Sequence, residues 1–577
     1  MASYYSRNGY DVTIIIGNQQ VPQSQMHGVI RIQKSENGAS LAEFTLLNPS
    51  GIQSPESYQG TNVYINIRTA NGYYRAFTGK IDVPEVDLVL KKTTYNCTDN
   101  RENKINALPA NYIDQIGYYS TEVFGTPNDN FDELRKRMST IPYSFDFDNF
   151  GNPTLTSWTP KATPDYALGA SAVYYRDPKV TFSSREKTIN TVTIKLNYTY
   201  QRLHHHSLSF RWNGSYFTSP QRWYREGRPG FLSRDMVRSA ANGVGYKIKG
   251  NITFTDLWPS QWFVYDGVNV YWSTQSVTGS SYRGVTDSSG DAVTDPNGNQ
   301  QTELARITFQ DTSSHLCIGA RWDAYKRFAQ NVIEQYTVSL SAPQSVGKFG
   351  TIPSEENVQI SAEYDTKTWE DSADGATNTN YYINQDWNRG TYQAAMNVLM
   401  YKARTSLLNS HRDVRVDFQT QISPQYDLKH TLSVTTDPLK CRGKVSSIVH
   451  FVNIETGEAY TDVELSLSRI TGSASNSTLS IPAVPSEASY IGDVERINLQ
   501  SHYGEDPTTN RAASWNGHIG NKWIEGTAYK PTYRTKFPEA FIVDTPKIPD
   551  VLRLNRELTS STAYTVSIPN DYLVLEF

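Results

Sequence analysis

The chain of 577 residues is poor in everything that would cross-link it, span a membrane or hold a metal. Its only cysteines, Cys97, Cys317 and Cys441, lie far apart and lack the paired spacing of zinc or redox sites. They read as small buried hydrophobes of a protein folded in a reducing cytoplasm. Nowhere do about 18 apolar residues run together, which excludes a membrane-spanning helix. The opening residues carry no basic stretch followed by an apolar core, so no secretory signal peptide is expected. An excess of positive charge is also missing. The 54 basic residues against 58 acidic ones leave a net charge of −4, so no broad basic surface is available to neutralise phosphates, and specific nucleic-acid binding is not expected.

Catalytic signatures are equally scarce. There is no Gly-x-Ser-x-Gly elbow, no His-Glu-x-x-His, no Gly-Lys-Ser/Thr phosphate loop and no cysteine with an identifiable histidine partner. A glycosidase needs only two carboxylates, and the 58 acidic residues leave that class open. No catalytic residue and no cofactor are assigned.

What the chain does have is β-forming composition. Charged residues are only 19% of the total, there are 38 tyrosines and 36 glycines, and that balance favours short strands and turns over helices. The length corresponds to roughly three to five domains. From Asp11 to Asp99 the alternation is that of half-buried strands. Val12, Ile14 and Ile16 share one parity; Val29 to Ile32, then Ala42, Phe44 and Leu46, then Val63, Ile65 and Ile67 follow. Asn71 and Gly72 mark a hairpin, and Phe77 to Ile81 with Val86 to Cys97 complete about six strands, enough for a small barrel.

Beyond this segment, a helix is expected around Phe131 to Met138, with acids in its first turn and bases in its last. The clearest strand is Thr191 to Tyr200, with Val192, Ile194, Leu196, Tyr198 and Tyr200 on one face. A short helix is expected over Asp235 to Ala241. The residues between Thr274 and Asn299 read as an exposed excursion with a turn at Asp295. Two longer helices are predicted, each running into a strand. Asp323 to Tyr336 carries Tyr325, Phe328, Val332 and Tyr336 at spacings of three and four, and Gly390 to Asn409 carries Met396, Leu399, Ala403 and Leu407 on one stripe. Lys444 to Phe451 and Ala459 to Ile470 read as a hairpin, and the region after Ile470 as a linker followed by loop-rich chain with strands at Tyr564 to Ile568 and Leu573 to Phe577.

Three clusters bear on chemistry. His204, His205 and His206 read first as an exposed polar strand end; the alternative places His204 and His206, on one strand face, at a threefold axis as a weak candidate metal site. Asp146 begins a calcium-loop-like phrase, but Phe150 takes a ligand position and Ser157 stands where the closing Glu belongs, which favours a turn. Trp212, Trp223, Trp258, Trp262 and Trp272 suit core or interface packing better than sugar stacking.

Several phrases in fixed order resemble a known family. Tyr58 to Gly60, Phe77 to Ile81 and Cys97 to Asp99, followed far downstream by Ser410 to Arg412, Val414 to Phe418, Gly443 to Val445, His450 and Thr456 to Thr461, resemble the hub proteins of siphophage and Mu-like tails, related to contractile-tail and type VI spike hubs. The resemblance covers roughly residues 10 to 105 and 320 to 470. It implies a mainly β (β+α) multi-domain fold with small hub-type β-barrels and a few inserted helices. The expected divisions are an N-terminal barrel over 1–105, a connecting region with one helix over 106–190, a β-rich insertion over 191–319, a second barrel-like domain over 320–470, and a loop-rich β region over 471–577. It also implies a homotrimer at the distal end of a virion tail, made in the host cytoplasm. Its partners would be a distal tail or tail tube ring, the C-terminus of a tape measure protein, and a tip or central fibre protein. Such a hub closes the tube, takes part in tail assembly and gates the DNA channel. A phage-associated glycan-degrading enzyme and a carbohydrate-binding receptor protein are the alternatives.

Overall fold

The fold is given by a computed structural model. It describes residues 9–48, 54–174, 178–182, 184–213, 234–257, 261–265, 268–310, 316–362, 379–487, 492–493, 495–499, 515–516, 542–543 and 548–577. The protein is mainly β with a few helices.

The first β unit is contiguous. Its strands are β1 (Tyr10–Ile16), β2 (Met26–Ser35), β3 (Leu41–Leu47), β4 (Asn62–Thr69), β5 (Gly72–Asp87) and β6 (Lys92–Thr98). All neighbours are antiparallel, in the order β2-β3-β6-β5-β4-β1. Alternation turns Ile14, Ile32, Phe44, Val63, Ile65 and Phe77 into one shared core, and burying each such side chain stabilises the fold by about 1.5–3 kcal/mol. The stretch read as one strand from Val86 is divided at its start. A tip at residues 88–91 closes the β5–β6 hairpin, where Asp87 Oδ1 accepts from the amides of Val89 and Leu90, an Asx turn that competes with the ladder.

A small helical unit follows, containing α1 (Arg101–Asn106) and α2 (Asn130–Met138). Asp129 caps α2 by accepting from the Asp132 amide at 2.8 Å, and Arg135, Lys136 and Arg137 occupy its last turn, as the helix dipole favours. Next come the hairpin β7 (Tyr143–Phe147) and β8 (Pro153–Ser157), then β9 (Tyr166–Gly169) and β10 (Lys179–Thr181).

Two long strands form the spine of the middle region. β11 (Thr191–Asn213) and β12 (Leu316–Ser341) pair antiparallel without interruption from Thr191↔Ser341 to Asn213↔Gly319. The expected helix over Asp323 to Tyr336 is therefore wrong: those residues are the interior of β12. Phe328, Val332 and Tyr336 are four apart, and a spacing of four keeps residues on one face in a strand as well as in a helix. The ladder with β11 decided between the two, and Gln330, Val332, Glu334, Tyr336, Val338 and Leu340 are buried in strict alternation.

The helix α3 (Arg389–Ser410) packs Tyr392, Met396, Leu399, Ala403 and Leu407 against Ile194, Tyr198, Val332 and Tyr336 of this spine. The short helix expected near Asp235 spans Arg234–Gly243. The excursion is exposed over its described side chains, 284–301, and Asp295 Oδ1 accepts from the amides of Asn297 and Asn299 in the expected turn.

The second β unit draws on distant parts of the chain. It combines β9 and β10 with β13 (Val414–Gln421), β14 (Thr431–Thr435), β15 (Leu439–Asn453) and β16 (Ala459–Leu467). Of two later strands, β17 (Arg556–Thr565) lies parallel to β12, and β18 (Leu573–Leu575) pairs with the start of β15. Val416, Leu432, Val434, Val445, Ile448 and Leu465 form its core. β15 also pairs antiparallel with β2 of the first unit, from Ser447↔Ser35 to Asn453↔Val29. The two units thus share one 14-stranded sheet whose main path runs from β10 to the two-residue strand Gln19–Gln20. Among the described residues no helix is long and apolar enough to cross a membrane.

Candidate functional site

The β2–β15 seam ends in a buried charge cluster. β2 delivers Lys34, and the turn after it delivers Glu36 and Asn37; the end of α3 delivers Arg412, β15 delivers Lys444, and the β7–β8 hairpin delivers Ser144, Asp146 and Asn149. Glu36 receives both Arg412 guanidinium nitrogens, at 2.7 and 3.0 Å, and Lys444 Nζ as well. Lys444 also reaches Ser144 Oγ at 3.3 Å. Lys34, almost fully buried, donates to Asn149 Oδ1 and lies 3.5 Å from Asp427 Oδ1 of the second unit. Asn37 closes the arrangement: its amide donates to Asp146 Oδ1 at 2.7 Å, and its Oδ1 accepts from the Phe145 amide at 2.9 Å. Four parts of the chain, distant in sequence, are tied together at one point.

The electrostatics follow from burial set against partners. Burial pushes the Glu36 carboxyl up, but the Arg412 guanidinium and the Lys444 ammonium outweigh it and hold the group below the usual carboxylate range. Burial bears down on Lys444, with Glu36 pulling the other way; a guanidinium stays charged at any relevant pH, so the cluster is ionic at neutrality. Asp146 is different. Burial raises it from the ordinary 3.8 to about 6, outweighing the Arg101 guanidinium 3.7 Å away, which pulls the other way, and Oδ2 accepts no hydrogen bond among the described residues. His450, beside the seam, shares a proton with Thr461 Oγ1 at 2.9 Å and is pushed down to about 3 by burial and by Lys34, so it is neutral.

The motif residues converge here. Ser410 Oγ donates to the Ile189 carbonyl, and His411 Nδ1 donates to that of Leu407, ending α3 so that Arg412 points at Glu36. Thr78 Oγ1 donates to the Asn149 carbonyl at 2.8 Å. A Cβ at Gly79 would lie 2.4 Å from the Thr98 carbonyl oxygen and 2.5 Å from the Phe77 ring, so only glycine allows that approach. Packing and charge complementarity are what this site provides.

No protein-family model and no curated protein sequence matches the chain. Among solved structures it is similar to a tail protein from Neisseria meningitidis MC58, at 7% identity and a TM-score of 0.36, covering 79% of this chain and 96% of that one. It is also similar to the 43 kDa tail protein of prophage MuSo2 from Shewanella oneidensis, at 11% identity and a TM-score of 0.33, covering 79% and 98%. A third is a prophage tail protein from Listeria monocytogenes EGD-e, at 8% identity and a TM-score of 0.30, covering 79% and 94%.

The histidine cluster sits where the sequence reading did not put it. β11 runs on to Asn213, so His204, His205 and His206 are inside a strand, not past its end, and all three are buried. His204 stacks on Phe328 and shares a proton with Gln330 Oε1 at 2.9 Å, while His205 stacks between Tyr325 and Tyr381. The expectation of an exposed polar end fails because β12 covers one edge of β11 and the strand Thr379–Gln385 covers the other. Among the described residues no group of three or more His, Cys, Asp or Glu side chains gathers to hold a metal. Asp146 lies in β7, and the turn expected beyond it is present, with Asp148 Oδ1 accepting from the amides of Phe150 and Asn152. Cys97 and Cys441 are buried; the side chains of Cys317, Trp212, Trp223, Trp258, Trp262 and Trp272 lie outside the described residues.

Sequence reasoning found Arg412 and Lys444 only as letters in a pattern and missed Glu36 and Lys34. The available signal was a Lys34 at a position whose strand parity points inward, together with a carboxylate in the adjoining turn.

Proposed function

We propose that this chain is a structural hub of a phage-type tail, placed at the distal end of the tube and acting without catalysis of its own. The observation that carries the reading is the seam, where two β units from one chain join edge to edge through β2 and β15. Such a head-to-tail joint, repeated between copies, closes a ring when the rotation allows it. Three copies with two units each would set six β units around one axis, matching a threefold tip to a sixfold tube. The main sheet path ends at β10 on one side and Gln19–Gln20 on the other, which supplies edges for that repetition. The ring would be built from the first β unit, within 1–105, and from the second, whose strands β13 to β16 lie within 320–470 and are completed by β9, β10 and β18, with the remainder facing neighbours. Those neighbours would be a tail tube or distal tail ring, the tape measure C-terminus, and a tip or central fibre protein. The closed ring would gate the DNA channel.

The test has two parts. The purified chain is expected to sediment at three times its monomer mass, alone or with a tube component. An antibody against it is expected to mark the end of the tube in virion images. A stable monomer together with label on side fibres or capsid would end the hub reading.

A further inference from the structure

A groove of about 500 Å³ opens where α1 and α2 face α3, a size that accommodates a ligand segment. Phe131, Met138 and Trp158 contribute apolar surface to it. Its walls are held in place. Tyr118 and Tyr401 stack with centroids 4.3 Å apart, fixing α3 against the helical unit. Trp158 donates from Nε1 to Ser144 Oγ at 3.0 Å, and the Arg412 guanidinium lies over its ring.

The charge around this groove has one sign. Arg101, Arg135 and Lys402 line it, and no carboxylate does. Each cation is paired with a carboxylate outside the lining, Arg101 with Asp146, Arg135 with Asp132 and Lys402 with Glu356. Arg101 also donates to the Gly38 and Phe145 carbonyls and is nearly buried, whereas Arg135 donates to Asp132 with one nitrogen, which leaves its five-donor guanidinium with unused capacity. Arg135 is 73% exposed and free to turn toward an incoming group. An apolar floor within a rim of cations selects a ligand of the opposite pattern.

We propose that this groove receives an acidic segment of a partner chain, with a large apolar side chain entering between Phe131, Met138 and Trp158 and flanking carboxylates meeting Arg135 and Lys402. This assignment does not depend on the hub reading, because the groove is complete within one chain.

The experiment measures fluorescence anisotropy of a short labelled peptide alternating leucine and glutamate, titrated with the full chain. A peptide alternating leucine and lysine is the control. The glutamate peptide is expected to bind at least about tenfold more tightly than the lysine peptide, a factor equivalent to ~1.4 kcal/mol, and to weaken with added salt. Lys402→Glu is expected to shrink that ratio, and Ser406→Trp, which fills the groove from α3, to abolish binding without lowering the melting temperature. Asn409→Trp, at an exposed position, replaces Ser406→Trp if that variant does not fold. Equal binding of the two peptides, no binding of either, indifference to the tryptophan variants, or binding of decanoate at the groove in place of the glutamate peptide would each overturn the proposal. A stable monomer whose label falls on side fibres or capsid, yet which binds the glutamate peptide, would refute the hub alone.

Discussion

The two β units solve the same packing problem from different material. The first uses six strands from one unbroken stretch, so each strand finds its neighbour close by in sequence, and its register can be followed from alternation and one hairpin. The second collects β9, β10, β13 to β16 and β18 from three separated parts of the chain. Its core exists only after those parts have met, at a loop-closure cost the first unit does not bear. The seam between the units is also where the charge cluster is buried. At Glu36 the independent unit supplies the acid and the dependent unit and the α3 end the cations, while at Lys34 the independent unit supplies the cation and Asp427 of the dependent unit the acid. We read the cluster as the device that fixes which edge of the first unit the second one meets.

The strongest way to break this picture is at the clamp. Arg412→Ala leaves Glu36 with only Lys444 in a buried site and is expected to cost about 3–5 kcal/mol of stability, measured by urea denaturation. Separate unfolding of the two units should then replace a shared transition. A loss below about 1 kcal/mol, the worth of an exposed pair, would mean the cluster does not hold the seam.

Asp146 sharpens the comparison through pH. Its folded value is raised to about 6, so between about pH 4 and 6 the folded protein keeps a proton that the unfolded chain releases, and stability falls as pH rises through that window. Asp146→Asn keeps an acceptor for the Asn37 amide but cannot ionise. It is expected to be more stable than the parent above pH 6, by up to about 3 kcal/mol, and equal to it near pH 4. Glu36 acts in the opposite sense and lower down: its stabilisation is present above the ordinary carboxylate value and is lost as pH falls through its depressed one. Thermal melts from pH 3 to 8 separate the two, and an Asp146→Asn profile parallel to the parent's would remove the Asp146 assignment.

The glycines in the two motif regions compare the units directly. Gly79→Ala forces a methyl against the Thr98 carbonyl and the Phe77 ring, and overpacking of this kind costs about 1–3 kcal/mol. At Gly443 the nearest atoms, on Leu465 and Leu467, are 3.0 Å away and belong to side chains, so Gly443→Ala is expected to cost less, about 1 kcal/mol. The reverse order in chemical denaturation would show the first unit to be the looser of the two. The smallest effect is expected at the β5–β6 tip, where Val89 is 89% exposed. Val89→Ser should change the stability of the isolated chain by no more than about 0.5 kcal/mol.

How far the sequence could be read varies along the chain for a physical reason. In the first unit, one face is buried and the other is not, so parity alone placed Val12, Ile14, Ile16, Phe44 and Ile65 in the core. α2 was legible from its charge order and α3 from its apolar stripe. In β12 the same method failed, since Phe328, Val332 and Tyr336 fit a helix and a strand equally well, and only pairing over the length of β11 separated the two. The histidines failed for a related reason. A strand covered on both edges and both faces carries no polar alternation by which its burial could be recognised.

The sequence by itself determined the β-rich character, the contiguous first unit and the order of motifs that resembles a tail hub. These rest on local alternation, turn chemistry and residue type, which neighbouring residues suffice to express. The tertiary structure alone decided that Glu36 would meet Arg412 and Lys444, that Lys34 would be buried, and that one sheet would run through both units. A buried charge is tolerable only beside its partners, and those partners lie hundreds of positions away, so no local pattern could reveal the seam they secure.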